Sequence, residues 1–411
     1  MRRPIGLMLC SLSGGLMACG EPLGPITELP RELTVAEQQL VQSDNRFAFK
    51  LFREINAQDT TEGNIFISPL SVAMALGMAY NGAAGETRVA MQRALELEDL
   101  TLPDVNDSYR TLIGLLVELD PRVEFQIANS LWSRLGIEIV PSFLGLIRQY
   151  FDAEAATLDF DDPTASDRIN GWVREKTRGR IEEIVPALIP PEVIAYLINA
   201  IYFKGDWTHQ FDKGRTKNAP FTLATGSQVS VPMMSHEAEV PVRFAFHDGV
   251  AVVDLPYGGG AFSMTIALPE DPGDVAALAT DLGEDRWNQW ITTLDSGAIE
   301  VSIPKFTLEY STELRKVLSA LGMEIAFNPD KANFDSLFAN ATGAYISRVL
   351  HKTYVDVHEE GTEAAAVTVV EFRDRSGPPS IVVNRPFLFA IRERFSGAIL
   401  FMGKIMNPTA T

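Results

Sequence analysis

Two cysteines stand in 411 residues, Cys10 and Cys19, and both lie at the amino-terminal end. The body of the protein therefore has no disulfide, no thiol nucleophile and no cysteine-based metal site. Histidine is nearly as scarce, with His209, His236, His247, His351 and His358 showing no metal-ligand spacing. Basic charge is also short: 35 Lys and Arg against 54 Asp and Glu leave a formal net charge of −19. That balance repels nucleic acid and anionic lipid, and no Lys/Arg run interleaved with aromatics offsets it. Residues 100 to 125 contain only Arg110 and Arg122 as cations, which leaves no basic helix for a polyanionic activator. Beyond the leader no apolar stretch is long enough to span a bilayer. No Gly-x-Ser-x-Gly elbow, Walker A loop or His-Glu-x-x-His occurs, which argues against a hydrolase and against a bound metal or cofactor.

What is present is an ordinary globular composition, 46% apolar and 22% charged. The start differs from the rest: Arg2-Arg3, an apolar stretch, then Leu16-Met17-Ala18 before Cys19. Residues 1–18 read as a secretory signal, and the run into Cys19 resembles a bacterial lipobox. In that reading Cys19 is acylated and becomes the mature amino terminus; the alternative is an ordinary signal peptide cleaved near Ala18. Either way the protein is expected to be exported, lipid-anchored to a bacterial membrane or cell surface in the first case and periplasmic or secreted in the second. Residues 19–35, with Pro22, Pro25 and Pro30, read as a tether, and residues 36–411 as the folded domain.

Apolar residues at helical spacing predict helices over about 36–56, 69–81, 86–95, 105–119, 142–151 and 165–178. Strand-like runs then dominate, at Val193 to Phe203, Val229 to Met234, Val250 to Leu255, Phe262 to Leu268, Ile299 to Leu308, Tyr345 to Val357, Pro386 to Ile391 and Ala398 to Ile405. Together they predict an α+β fold on large antiparallel or mixed sheets. Gly258-Gly259-Gly260 lacks the later glycine and helix of a phosphate loop and reads as a turn. Asp159-Phe160-Asp161-Asp162 runs into Pro163 and reads as a helix start rather than a calcium loop.

One segment carries more information. From Gly361 the chain reads Gly-Thr-Glu-Ala-Ala-Ala-Val-Thr-Val-Val-Glu-Phe-Arg-Asp-Arg-Ser-Gly-Pro-Pro. With period two, one face is Thr362, Ala364, Ala366, Thr368 and Val370, all small or β-branched and uncharged. That face could be buried between strands without an unpaired charge, while Glu363 and Glu371 stay in solvent. The same pattern also suits an ordinary half-buried strand. Downstream, Arg373-Asp374-Arg375-Ser376-Gly377 is polar and turn-rich, with basic side chains suited to a pocket that has a carboxylate at its base.

Val357 to Ala366, Val-His-Glu-Glu-Gly-Thr-Glu-Ala-Ala-Ala, resembles the hinge of the serpin family. Further stretches resemble serpin motifs in serpin order: Asn64-Ile-Phe-Ile-Ser-Pro-Leu-Ser71, Ile169-Asn-Gly-Trp-Val173, Leu197-Ile-Asn-Ala-Ile-Tyr-Phe-Lys-Gly205 with Trp207, Ile303-Pro-Lys-Phe306, and Asn384-Arg-Pro-Phe387 ahead of Phe401-Met-Gly-Lys404. They span about residues 40–408.

The resemblance implies three β-sheets, eight or nine helices and an exposed reactive loop. It places a hinge at Gly361, Thr362, Glu363, Ala364, Ala365 and Ala366. It implies a hydrogen-bonded shutter of Ser68, Ser71, Asn199 and His351, and a breach closed by Trp207 and a Lys305–Glu359 ion pair. In serpin register the position sixteen residues beyond Glu359 is Arg375, which puts the reactive bond at Arg375–Ser376, with Arg373 the alternative. The implied activity is single-use inhibition of a trypsin-like serine protease through a covalent acyl-enzyme complex, by a monomer that needs no cofactor and is not itself an enzyme. The other reading is a non-inhibitory serpin with a carrier, chaperone or structural role; the small Thr/Ala hinge face argues against it.

Overall fold

The structure, a computed structural model, describes residues 24–236, 238–361 and 380–410. In chain order these give α1 (Val35–Gln58), β1 (Ile65–Ile67), α2 (Pro69–Gly82), α3 (Gly85–Ala94), α4 (Leu102–Glu118), β2 (Val123–Arg134), α5 (Pro141–Phe151), β3 (Glu154–Leu158), α6 (Thr164–Lys176) and β4 (Ala195–Gly205). There follow β5 (Lys217–Thr222), β6 (Gln228–Ser235), β7 (Val240–His247), β8 (Val250–Tyr257), β9 (Phe262–Pro269), α7 (Val275–Asp281), α8 (Glu284–Thr292), β10 (Asp295–Pro304) and β11 (Phe306–Glu313). The chain closes with α9 (Arg315–Leu318), β12 (Leu350–Val357), β13 (Ser380–Val382), β14 (Phe387–Glu393) and β15 (Ile399–Ile405).

Local chemistry fixes the helix starts. Thr34 caps α1 and Glu37 returns the bond to the Thr34 N–H, while Thr101 and Asp104 repeat the device at α4. Ser68 caps α2 ahead of Pro69, a residue suited to the first helical position. Nearly every residue of α2 is buried, as befits a helix apolar on all sides that runs through the core.

The strands form three sheets. One runs β1-β15-β14-β9-β8-β7 and ends on the first half of β10; the second half of β10 carries β6, β5 and β13. The third is split. Strands β3-β2-β4 form one part and β11-β12 the other, and among the described residues no ladder joins β4 to β12. Helix α6 lies over the first part, with Trp172 set edge-on to Trp132 in a satellite core.

The six predicted helices are present, within a few residues at their ends. Two strand expectations change, and β1, β2, β3, β5, β7 and β13 lie outside the expected runs. The run Ile299 to Leu308 is not one strand: the chain leaves β10 at Pro304, and β11 begins in a different sheet at Phe306. The run from Tyr345 starts as irregular chain, and β12 begins only at Leu350. The twelve-residue β2 was not anticipated at all. Its Asn129, Ser130 and Ser133 are buried, which masks the strand pattern, and each is satisfied internally: Asn129 donates to the Phe151 carbonyl, Ser130 accepts from Trp132 and Ser133 pairs with Thr157.

Residues 24–33, expected as tether, lie against the body. Ile26, Leu29 and Leu33 pack partly buried on the core, and the Ile26 N–H donates to the Gly259 carbonyl at 2.8 Å.

Candidate functional site

The split between β4 and β12 is where the expected site residues gather. Its upper end is built by the end of β12, the end of β4 and the residue at which the chain changes sheets. Lys305, between β10 and β11, is held by its own N–H on the Pro232 carbonyl. From there its Nζ lies 3.1 Å from Glu359 Oε2. Thr216 donates to the other carboxylate oxygen at 2.8 Å. Glu359 is 1% exposed. Burial alone would raise its pKa, but the hydrogen bonds from Thr216 and Lys305 and the adjacent ammonium hold it below the usual value.

Trp207 fixes the same corner. Its indole Nε1 donates to the His358 carbonyl at 2.9 Å, its backbone N–H donates to the Glu360 carbonyl at 2.8 Å, and its ring stacks on Tyr257 at 4.3 Å. Phe211 N–H donates to the Glu359 carbonyl at 2.9 Å, and Lys213 pairs with Glu360.

His358 and Gly361 exchange backbone hydrogen bonds, which makes residues 358–361 a tight reversal after β12. The reversal lays Gly361 antiparallel against Asp206, directly beyond β4. A Cβ at Gly361 would sit 2.2 Å from the Gly205 carbonyl oxygen and 2.4 Å from Asp206 Cα, so only glycine permits this approach. Gly361, the one hinge residue among the described residues, thus stands at the mouth of the split. Thr362, Glu363, Ala364, Ala365, Ala366, Arg373, Arg375 and Ser376 lie outside the described residues, as does Cys19.

Lower down, the four expected shutter residues separate into two groups. Ser68 N–H donates to His351 Nε2 at 3.0 Å, Ser68 Oγ donates to the Leu400 carbonyl at 2.8 Å, and Ser71 N–H donates to Ser68 Oγ at 3.3 Å. Accepting at Nε2 keeps His351 neutral, and full burial pushes its pKa down to about 4. Asn199 is not part of this chain of bonds. Its Nδ2 donates to Asn129 Oδ1 at 2.8 Å, and its own Oδ1 is buried without a hydrogen-bond partner among the described residues. The expectation of one four-residue network is corrected accordingly: Asn199 belongs to the β2–β4 side, and Ser68, Ser71 and His351 to the β12 side.

Both groups face one cavity of about 290 Å³, lined by β4 on one side, residues 344–352 on the other and α2 beneath. Its walls are mainly apolar, including Leu76, Leu131, Phe143 and Phe334. The residues missed by sequence reasoning are Thr216, Tyr257, Phe211 and Asn129. Tyr257 directly precedes the Gly258-Gly259-Gly260 turn, at the end of β8, whereas Thr216 carries no local signal.

The described residues thus form a split sheet with Gly361 at its mouth. Residues 42–408 match the profile described as Serpin (serine protease inhibitor). The chain belongs to the serpin family. It is 34% identical over 382 residues to the leukocyte elastase inhibitor of Bos taurus, covering 90% of this chain and all of that one. Among solved structures it is similar to a thermophilic serpin, tengpin, in the native state: TM-score 0.80, 31% identity, 93% of this chain and 97% of the other. A thyroxine-binding globulin in complex with thyroxine superposes with TM-score 0.82 at 27% identity, over 90% of this chain and 100% of that one. The serpin fold, with nine α-helical segments among the described residues and three sheets, is the α+β architecture expected.

Proposed function

We propose that this serpin inhibits trypsin-like serine proteases by conformational trapping, with Arg375–Ser376 as the reactive bond. The observation that carries the reading is the open split between β4 and β12 with Gly361 at its mouth. The protease serine attacks the Arg375 carbonyl carbon, the bond to the Ser376 nitrogen breaks, and Arg375 is left as an ester on the enzyme while the new amine takes the proton. Residues 362 to 374 then enter the split, gaining ladder hydrogen bonds on both edges and burying the small Thr362/Ala364/Ala366 face. At about 3.3 Å per residue, thirteen residues carry the tethered enzyme roughly 43 Å. Displacing the catalytic serine by even ~1 Å can cost about a hundredfold in rate, so deacylation stalls.

The bovine relative is named for elastase. The trypsin-like assignment rests instead on this chain's own Arg375, because the residue before the cut is what enters the specificity pocket. The test is mass spectrometry of the fragment released by trypsin: a peptide beginning at Ser376 supports the register, one beginning at Asp374 moves the reactive residue to Arg373, and no release removes the proposal.

Export with acylation of Cys19 is part of the same reading and is supported by the sequence leader. Metabolic labelling with a fatty acid that disappears in Cys19→Ser tests it. A thyroxine-binding member shares the fold closely, so a carrier role is the alternative outcome; there the loop would be cut without a covalent complex.

A further inference from the structure

The Gly258-Gly259-Gly260 turn has no part in the scheme above, yet its three glycines are each used. Gly258 and Gly260 have φ of +54° and +92°, a conformation that side chains rarely adopt. Gly259 has no such need. A Cβ there would lie 2.9 Å from Ile26 Cδ1 and 2.7 Å from Arg122 Nη2. Its missing side chain makes room for the amino-terminal segment, which also accepts from Arg122 Nη2 at the Gly24 carbonyl, at 3.3 Å.

The turn is joined to the top of the split sheet. Gly258 N–H donates to the Asp206 carbonyl at 2.7 Å, and Thr208 Oγ1 donates to the Gly258 carbonyl at 3.0 Å. Gly259 N–H donates to Asp120 Oδ2 at 2.7 Å, and Asp120 Oδ1 accepts the Arg122 N–H at 3.0 Å, directly before β2. From the opposite side Arg394 holds the Gly260 carbonyl at 2.7 Å. At its far end the amino-terminal segment is fastened again: Arg31 makes a two-pronged bond to Glu37, which also accepts from Thr111 on α4.

We infer that residues 24–33 are a latch that holds the β3-β2-β4 half of the split sheet against the β8–β9 turn and so sets how readily that half moves away from β12. For a strand to enter the split, the β3-β2-β4 half and the β11-β12 half must part. Asp206 and Asp120 bond the first half directly to a turn that belongs to a different sheet, and the amino-terminal segment adds a second tie, bonding the turn through Ile26 and, through Gly24, Arg122 just before β2. Releasing the latch lowers the cost of that movement. The segment lies between the leader and the fold, so a pull on the amino terminus or a cut in it would act on the sheet.

The experiment uses the full chain with two variants that release the contact from opposite sides. Ile26→Asp places a charge against the turn, and Gly259→Ala inserts a methyl group where Ile26 now sits, at a position whose backbone tolerates it. Hydrogen–deuterium exchange is read on β4 amides and on the β14 and β15 amides of the neighbouring sheet. Both variants are expected to speed β4 exchange about tenfold, the scale of losing one half-buried aliphatic contact, with β14 and β15 unchanged. Unchanged β4 exchange, or an equal rise in all three strands, overturns the latch. The link to trapping rests on the proposed function, but the exchange readout does not. If the unmodified protein forms no covalent complex with trypsin while β4 still responds, trapping fails and the latch stands.

Discussion

The Ser68 N–H donates to His351 Nε2 at 3.0 Å, which requires a neutral imidazole at the foot of the split sheet. Burial pushes the His351 pKa down to about 4, against an ordinary 6.5. The unfolded chain therefore binds this proton at a pH where the folded one does not. The stability tied to His351 is complete above pH 6.5 and is lost as the pH falls from 6.5 towards 4, on the order of 3 kcal/mol in all. Asp44, buried against Tyr109 and pushed up to about 7, acts in the opposite sense across the whole of that range. The two are separated by comparing the protein with His351→Asn, which keeps an acceptor but does not titrate. The stability advantage of the unmodified protein over the variant in urea unfolding should shrink steadily between pH 6.5 and 4; parallel profiles would show that His351 is not the group responsible.

Lys305→Met removes the ammonium from a carboxylate that is 1% exposed and leaves it with Thr216. A lost hydrogen bond to a charged group costs about 1.5–3 kcal/mol. Adding Glu359→Gln should recover part of that loss, because the carboxylate no longer needs a cation. Urea midpoints of the single and double variants check this; an additive double variant would mean that the pair does not interact.

Gly361→Ala puts a methyl group within 2.2 Å of the Gly205 carbonyl oxygen. The hinge must then leave Asp206, at a cost of about 1–3 kcal/mol, the usual scale for overpacking. Faster amide exchange at Asp206 and Trp207 is the expected signature, and exchange as in the unmodified protein would show that the close approach is not required.

Much of the fold could be read from the chain because α1 to α6 repeat apolar residues at helical spacing and most later strands are Val/Ile-rich. What escaped has physical causes. Strand β2 buries Asn129 and Ser133, whose partners are more than twenty residues away in sequence, and Ser130 beside them, so its polar positions look like surface. That omission caused the shutter error: without β2 there was no Asn129 to claim Asn199. The break at Lys305 is marked in the sequence only by Pro304, within a run that is otherwise strand-like, yet it is what aims the ammonium at Glu359. The Lys305–Glu359 pairing itself was reached only through the serpin resemblance, and nothing local announces Thr216 as its third member.

The central claim is trapping by insertion at a split whose entry is Gly361 and whose first inserted residue is Thr362. It is tested most directly by incubating the protein and Thr362→Arg with trypsin and reading covalent complex on a denaturing gel. A charged side chain at the first inserted position opposes burial. The unmodified protein should give an SDS-stable complex, and Thr362→Arg should be cut at the same bond and released as product. Complex formation undiminished in the variant, or cleavage without complex in the unmodified protein, would contradict the account.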